Sequence, residues 1–317
     1  EIVQVGTQFY KEGRRCFSRL ENELGDIMDD KGYKKLNNVT WHSFGLAKTS
    51  GKLNFYITST SSGSSIYQPN EKVISKYSPS RYWKVKEIRK LNFLSFKDFL
   101  KINKRKVPEL IKLDTQGSEL DILKSLTKNQ LKNVLAIDLE IEFQELYKNQ
   151  PLFRDIDKFL ADNNFEIMDL RTHRSYRILN EERGGYLKKI FNLNRFPESL
   201  SAKILAGDAI YIKKMDMVKT SKKKLLKTIK ILILYNFFDE AVALIFDVFK
   251  RKIISKSEKN ALIEEIKCYL PKISFRYKQD SLIRKVVSGI NLILSHFYKK
   301  RKPGKLIGWS KREWPDQ

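Results

Sequence analysis

The sequence predicts an α/β domain on a mostly parallel sheet, followed by a helical extension. Three observations carry this. Leu110-Ile111-Lys112-Leu113 is a short apolar run broken by one lysine, the pattern of a strand buried in a parallel sheet, and Asp114 falls where that strand ends. After Gly117 the period changes: Leu120, Ile122, Leu123 and Leu126 recur at helical spacing behind Ser118 as N-cap, with Glu119 and Asp121 in the first turn, where the helix dipole favours anions. From about Met215 the pattern is helical only. Asp114 is therefore aimed out of the carboxyl edge of a strand, where open α/β sheets bind ligands. Residue physics alone leaves two roles open for it, a turn cap or a member of a site.

In chain order, Ile2, Val3 and Val5 form a strand ending near Gly6, and Arg14 to Asp30 a helix with Phe17, Leu20, Leu24 and Ile27 on one face. Val39 to Phe44 and Leu53 to Thr58 read as a hairpin turning at Lys48 to Lys52, with Gly51 in the turn. Ser59 to Ser65 is compositionally a flexible loop. Lys84 to Leu91 is a further strand, and Ser95 to Ile102 a short helix burying Phe96, Phe99 and Leu100. Val134 to Phe143 is an apolar strand whose Asp138, Glu140 and Glu142 alternate and so share one face. Three carboxylates there cannot all be buried unpaired, so that face is wet, lined with basic groups, or a site. Pro151 opens a helix through Asn163, Phe165 to Leu170 is a strand, and Gly207 to Ile212 is the last strand. Between them Arg171 to Leu205 is long, polar and aromatic, as in a substrate lid. The tail reads as helices at Lys222 to Asn236, Asp239 to Lys250, Glu258 to Leu270 and Ser281 to Phe297.

The 317 residues leave room for one α/β domain of about 200 residues plus an appendage. We divide them into an α/β domain at 1–215 and a basic helical extension at 216–317. A hydrophobic fraction of 41% with 19 Phe suffices for a core. The net charge is +25, and the stretch from Lys213 to Gln317 holds 26 Lys/Arg against 10 Asp/Glu, so the basic surface is mainly C-terminal. Lys222 to Lys224 and Lys299 to Lys302 flank the tail helices and permit contact with an anionic membrane surface; nucleic acid is the weaker partner class, because no recognised nucleic-acid module is present. Cys16 and Cys268 lie far apart on predicted helices, which argues against a disulfide and for a reducing cytoplasm, with the protein at most peripheral to a membrane. Two cysteines and three histidines cannot assemble a metal quartet. The uncharged stretch Val286 to Tyr298 is too short to span a bilayer. The chain starts at Glu1 with neither an initiator methionine nor a signal peptide, as a segment of a longer product does.

Several motifs resemble the FkbM-type methyltransferase family between residues 8 and 212. Asp114, Gln116, Gly117 and Glu119 match its D-x-E/Q-G-x-E element; Ser64, Ser65, Pro69 and Asn70 match S-S-x-x-x-P-N. Glu140, Phe143, Leu146, Tyr147 and Gln150 to Phe153 match E-x-x-F-x-x-L-Y-x-x-Q-P-L-F, and Gly207-Asp208-Ala209 resembles its closing strand. Gln8 to Leu20 resembles its F-E-P-x-x-x-x-x-x-L segment, with Tyr10 where the family has the acidic ribose-holding residue and Glu12 the nearest carboxylate.

The resemblance implies a Rossmann-like class I methyltransferase sheet, mostly parallel with an antiparallel last strand. It implies S-adenosylmethionine as cofactor, held by Tyr10, Glu12, Gly45, Leu46 and Asp114. Asp114, Glu119 and Glu142 are then the catalytic candidates, with His42 a weaker one, and Ser64, Ser65, Tyr147 and Gln150 face the substrate. The implied reaction is methylation of a hydroxyl on a sugar, a glycan or a small metabolite; the alternative is a catalytically decayed domain serving as scaffold for the basic tail.

This class needs two strand-helix units before its third strand and a glycine-rich loop after its first, whereas Val5-Gly6-Thr7-Gln8 holds one glycine. Ile2 to Gly6 is accordingly expected to be the second strand, with strand one missing and the chain poorly soluble and unable to bind S-adenosylmethionine. In the other register Glu1 to Gly6 is strand one, and Gly6, Thr7 and Gln8 form the cofactor loop.

Overall fold

The computed structural model describes residues 2–6, 44–192, 201–218 and 221–269, with backbone alone for 2–6. The expected helix at 14–30 and the tail beyond 269 lie outside the described residues. The chain divides into two compact units, Glu1–Ala241 and Val242–Gln317.

The first unit is built on a five-stranded sheet in the order β1-β5-β6-β10-β7, where β1 is Ile2–Gly6, β5 Leu110–Asp114, β6 Ala136–Glu142, β7 Phe165–Ser175 and β10 Lys203–Lys213. β1, β5 and β6 run parallel, and β10 is antiparallel to both β6 and β7, the expected sense of the last strand. β5 is apolar because both its faces are covered, and even Lys112 is buried.

The position of β1 corrects the register expected from the glycine count. Ile2 pairs with Leu110 and Gly6 with Asp114, so Ile2–Gly6 lies directly beside β5, the place reserved for strand one. The physical reason is edge satisfaction: without a partner, β5 would present a row of unpaired backbone groups in the middle of the domain.

A second sheet has the order β2-β4-β3, with β2 at Gly45–Ala47, β3 at Gly51–Thr58 and β4 at Val85–Ser95. Leu53 to Thr58 is a strand as expected and pairs with β4, with Leu53 opposite Leu91; of the other strand of the expected hairpin, Val39 to Phe44, only Phe44 lies within the described residues. β4 is long enough to take β3 on one edge and β2 on the other.

The main core lies on one face of the large sheet. Ile111, Leu113, Ile137, Leu139, Ile141 and Ala209 point into it, and it is completed by three helices: α1 Phe96–Ile102, α2 Glu119–Lys124 and α3 Phe153–Asp162. Ser95 caps α1 by accepting from the Asp98 amide at 3.1 Å, and Phe96, Phe99 and Leu100 are buried as their spacing predicts.

The lid region is partly regular. β7 continues to Ser175, a short β8 (Ile178–Leu179) and β9 (Glu182–Arg183) pair antiparallel, and α4 spans Gly185–Phe191. The helix α5, Lys222–Leu234, expected as part of the extension starting at 216, falls within the first unit. Leu225, Ile229 and Leu232 are buried, and the Tyr235 hydroxyl donates to Asp138 Oδ2 at 3.0 Å.

The helix α6, Phe238–Lys250, crosses the division between the units. In the second unit residues 256–269 are helical, opened by a capping box in which Glu258 N donates to Ser255 Oγ and Ser255 N to Glu258 Oε2. Among the described residues no helix is long and apolar enough to cross a membrane.

Candidate functional site

The turn leaving β5 is tight. Gln116 and Gly117 both take left-handed backbone, at φ 56° and 100°. A Cβ on Gly117 would also lie 3.3 Å from Gln150 Nε2. The fully buried Glu119 side chain closes this turn: Oε1 accepts from the Thr115 amide at 2.6 Å and the Thr115 hydroxyl at 2.8 Å, and Oε2 from the Gly117 amide at 3.0 Å. Burial pushes Glu119 up to about 7; the hydrogen bonds from its own and the Thr115 backbone oppose this, and the charge of Asp114 adds to it. Ser118 does occupy the N-cap position of α2, but its hydroxyl donates to Thr115 Oγ1 at 2.8 Å and makes no cap bond.

Gln116 is the hub of the site. Its Nε2 donates to Asp114 Oδ1 at 3.0 Å and to Glu140 Oε2, so one amide holds two carboxylates. The Tyr147 hydroxyl lies 2.9 Å from Gln116 Oε1 and 3.1 Å from Gly63 O, and its single proton serves one of the two. The Gln116 carbonyl accepts from Ser65 Oγ at 2.7 Å. Next to this hub Glu142 is buried, and its Oε2 has no hydrogen-bond partner; neither has Gln150 Nε2. Burial raises both Glu140 and Glu142 well above the usual carboxylate range, and neighbouring negative charge raises them further: Glu142 and Asp114 for Glu140, Glu119 and Asp114 for Glu142. Among the described residues no ion pair joins Asp114, Glu140 or Glu142 to a cation, and no group of three or more His, Cys, Asp or Glu side chains is arranged to hold a metal ion.

Asp114, Glu140 and Glu142 form the floor of a cleft of about 860 Å³, with Gln116 among them. Its walls come from the loop at Ser62 and Gly63, the aromatic segment Tyr77 to Trp83, the end of β7 and Arg183. Asp138 on the same strand face belongs to a separate pocket of about 120 Å³, where Lys112 Nζ lies 3.3 Å from its Oδ1. The three alternating carboxylates thus meet two fates: Asp138 is a buried salt bridge, while Glu140 and Glu142 face the cleft.

The other expected site residues are distributed as follows. Ser64, Ser65, Tyr147 and Gln150 are buried behind the cleft wall: Ser64 Oγ accepts from the Thr58 amide at 3.1 Å, and Gln150 Oε1 from the Tyr147 amide. Leu46 packs in the main core, and Gly45 leaves room for the Phe93 ring, which a Cβ would meet at 2.2 Å. Tyr10, Glu12 and His42 lie outside the described residues. Sequence reasoning placed Gln116 in the motif but did not see its role, although an amide between two acidic positions is a visible signal. It missed Tyr82, Trp83, Arg174 and Arg183, which carry no local signal because only the fold brings them to one cleft.

Fold and site together define an α/β domain with a carboxylate-rich cleft at the carboxyl ends of parallel strands. Residues 19–167 match the methyltransferase FkbM domain model. Short matches to curated proteins also occur. The dihydroorotate dehydrogenase (fumarate) of Lachancea kluyveri is 54% identical over 35 residues, 11% of this chain and 11% of that protein. Those of Saccharomyces cerevisiae and Saccharomyces paradoxus are 47% identical over 36 residues, 11% of this chain and 12% of each. The chain spans about a tenth of the length of these relatives. No solved structure matches.

The family implies S-adenosylmethionine, and the described residues fit its cationic part. Among the described residues the floor carboxylates have no cation, and Glu142 Oε2 is a buried acceptor without a donor. A sulfonium or ammonium group would supply the missing positive charge. The ribose end of the group would depend on Tyr10 and Glu12.

Proposed function

We propose that the domain is an S-adenosylmethionine-dependent O-methyltransferase acting on a hydroxyl of a sugar, a glycan or a small metabolite. The observation that carries this reading is the carboxylate floor at the carboxyl ends of β5 and β6, which among the described residues has no cation and includes a buried Glu142 Oε2 without a hydrogen-bond partner. Asp114 and Glu142 would hold the cofactor's positive charge. When bound, the cofactor supplies a methyl group on an electrophilic sulfonium.

The chain's own groups do the rest. Gln116 fixes Asp114 and Glu140 at the cleft, which limits the freedom of the groups that must meet the acceptor. A carboxylate whose pKa is raised by burial is a competent acceptor for a hydroxyl proton near neutral pH, and Glu142 fits that role. Glu119 spends its acceptor capacity on the turn and acts by positioning. Ser65 and Tyr147 hold Gln116, and Gln150 stands beside Glu142.

The test is calorimetric titration of the full chain with S-adenosylmethionine, followed by methyl transfer to a panel of hydroxylated acceptors. Binding by the wild type that is lost in Asp114→Ala, and transfer lost in Glu142→Gln with the fold intact by circular dichroism, is the expected result. Failure of the folded wild type to bind the cofactor at millimolar concentration would sink the reading and leave the scaffold alternative.

A further inference from the structure

The cleft is lined by basic side chains as well as carboxylates. The end of β7 contributes His173 and Arg174, and β9 contributes Arg183. His173 is committed, with Nε2 3.0 Å from Asp208 Oδ2. Arg174 makes one long contact, Nη1 to Ala202 O at 3.5 Å, which leaves most of its five donors unused. Arg183 forms no hydrogen bond or ion pair with a described side chain; only its backbone pairs, with Ile178.

Two further guanidiniums stand over the aromatic wall of the same cleft: Arg81 lies 4.9 Å from the centre of the Tyr82 ring and Arg177 5.8 Å from that of Tyr77. Trp83, its indole N–H donating to Ser78 Oγ at 2.9 Å, completes the wall. Solvated arginines are expected on so basic a chain. What sets Arg174 and Arg183 apart is that they line the same cleft as Asp114, Glu140 and Glu142, together with the rings of Tyr77, Tyr82 and Trp83.

We infer that the cleft takes an acceptor that is itself acidic: a hydroxyl-rich, sugar-like molecule whose carboxylate or phosphate docks on Arg174 and Arg183 while its hydroxyls turn toward Asp114 and Glu140. The planar guanidinium forks suit the two or three oxygens of such a group, and an aromatic wall suits the apolar faces of a sugar ring. The opposed charges orient the ligand, because a reversed acceptor would bring its acid against the carboxylates. This inference rests on the methyltransferase reading only for the fate of the hydroxyl.

The experiment is titration of the full chain at low salt with glucuronate, glucose 1-phosphate and glucose, followed by tryptophan fluorescence and calorimetry. At least one of the two acids should bind roughly tenfold tighter than glucose, and which one does so separates carboxylate from phosphate. The paired change Arg174→Gln with Arg183→Gln should bring that acid to the level of glucose, while Arg174→Lys with Arg183→Lys retains part of the preference; both sites are exposed, and S-adenosylmethionine titration should be unchanged in each. Added salt should weaken the acid and not glucose. Glucose binding as well as the acids, no binding by either acid, or acid binding indifferent to the Gln pair would each overturn the inference. A chain that binds the cofactor but no acid defeats this inference alone, and one that binds an acid but no cofactor defeats the methyltransferase reading alone.

Discussion

The two faces of the large sheet are made by alternate residues of the same strands, yet they are chemically opposite. On one face Ile111, Leu113, Ile137, Leu139 and Ile141 close a dry core. On the other, their neighbours Lys112, Asp114, Asp138, Glu140 and Glu142 carry charge into a salt-bridged pocket and an acidic cleft. One period-2 pattern thus encodes stability and chemistry side by side. The two faces should respond to substitution in different ways: the apolar face should govern stability alone, whereas the charged face should trade stability against binding.

The largest effect is expected where the charged face is buried and paired. Lys112→Met leaves Asp138 with only the Tyr235 hydroxyl, and should cost about 3–5 kcal/mol in denaturant melts. Adding Asp138→Leu to that change should recover most of the loss, since a buried pair is worth little more than an apolar one. If the single change is silent, the pair is not buried in solution.

On the apolar face, Leu139→Ala should cost about 2–4 kcal/mol from lost burial and the cavity left behind, with ligand binding per folded molecule unchanged. A changed affinity would mean that the two faces are coupled.

Glu142→Gln should move stability and binding in opposite directions. Replacing a buried carboxylate whose Oε2 has no hydrogen-bond partner by a neutral amide should stabilise the fold by about 1–2 kcal/mol, while cofactor affinity falls roughly tenfold. Destabilisation would mean that Glu142 has a partner in solution.

The smallest effect is the pH dependence. A carboxyl group raised in the fold contributes stability that is fully present below its unfolded value and is lost as pH rises through its folded value. For Glu119 that window runs from 4.5 to about 7. Glu140 and Glu142 shift in the same direction. The melting temperature should therefore fall by a few degrees from pH 5 to pH 7.5, and by less in Glu142→Gln. A melting temperature that rises over this range would mean that these carboxylates are ionised and paired.

Legibility followed the range of the signal. The strand-turn-helix unit at 110–126 was readable because the apolar run, the glycine and the change of period are all local, and Asp114 indeed ends β5. The cap was misjudged in detail: Ser118 has the right side chain at the right place, but the buried Glu119 carboxylate competes for the turn's amides. Alternation in Leu53 to Thr58 reports a half-buried strand and says nothing of its neighbour, so the pairing with β4 was not legible. The glycine count after Gly6 pointed to the second strand, but pairing is decided by which edge lies open, and β1 filled the edge of β5.

By itself, then, the sequence determined that 110–126 is strand, turn and helix, that 134–143 holds a strand with one apolar face, and that Asp114, Glu140 and Glu142 project from the sheet. Periodicity and turn chemistry act over a few residues and need no partner. Only the tertiary structure decided that Ser65, Gln116 and Tyr147 meet, that Asp138 leaves its two neighbours for Lys112, and that Arg174 and Arg183 line the same cleft as the acidic residues. Those contacts join segments far apart in the chain, and they form because buried polar groups must find partners wherever the packing of the sheet places them.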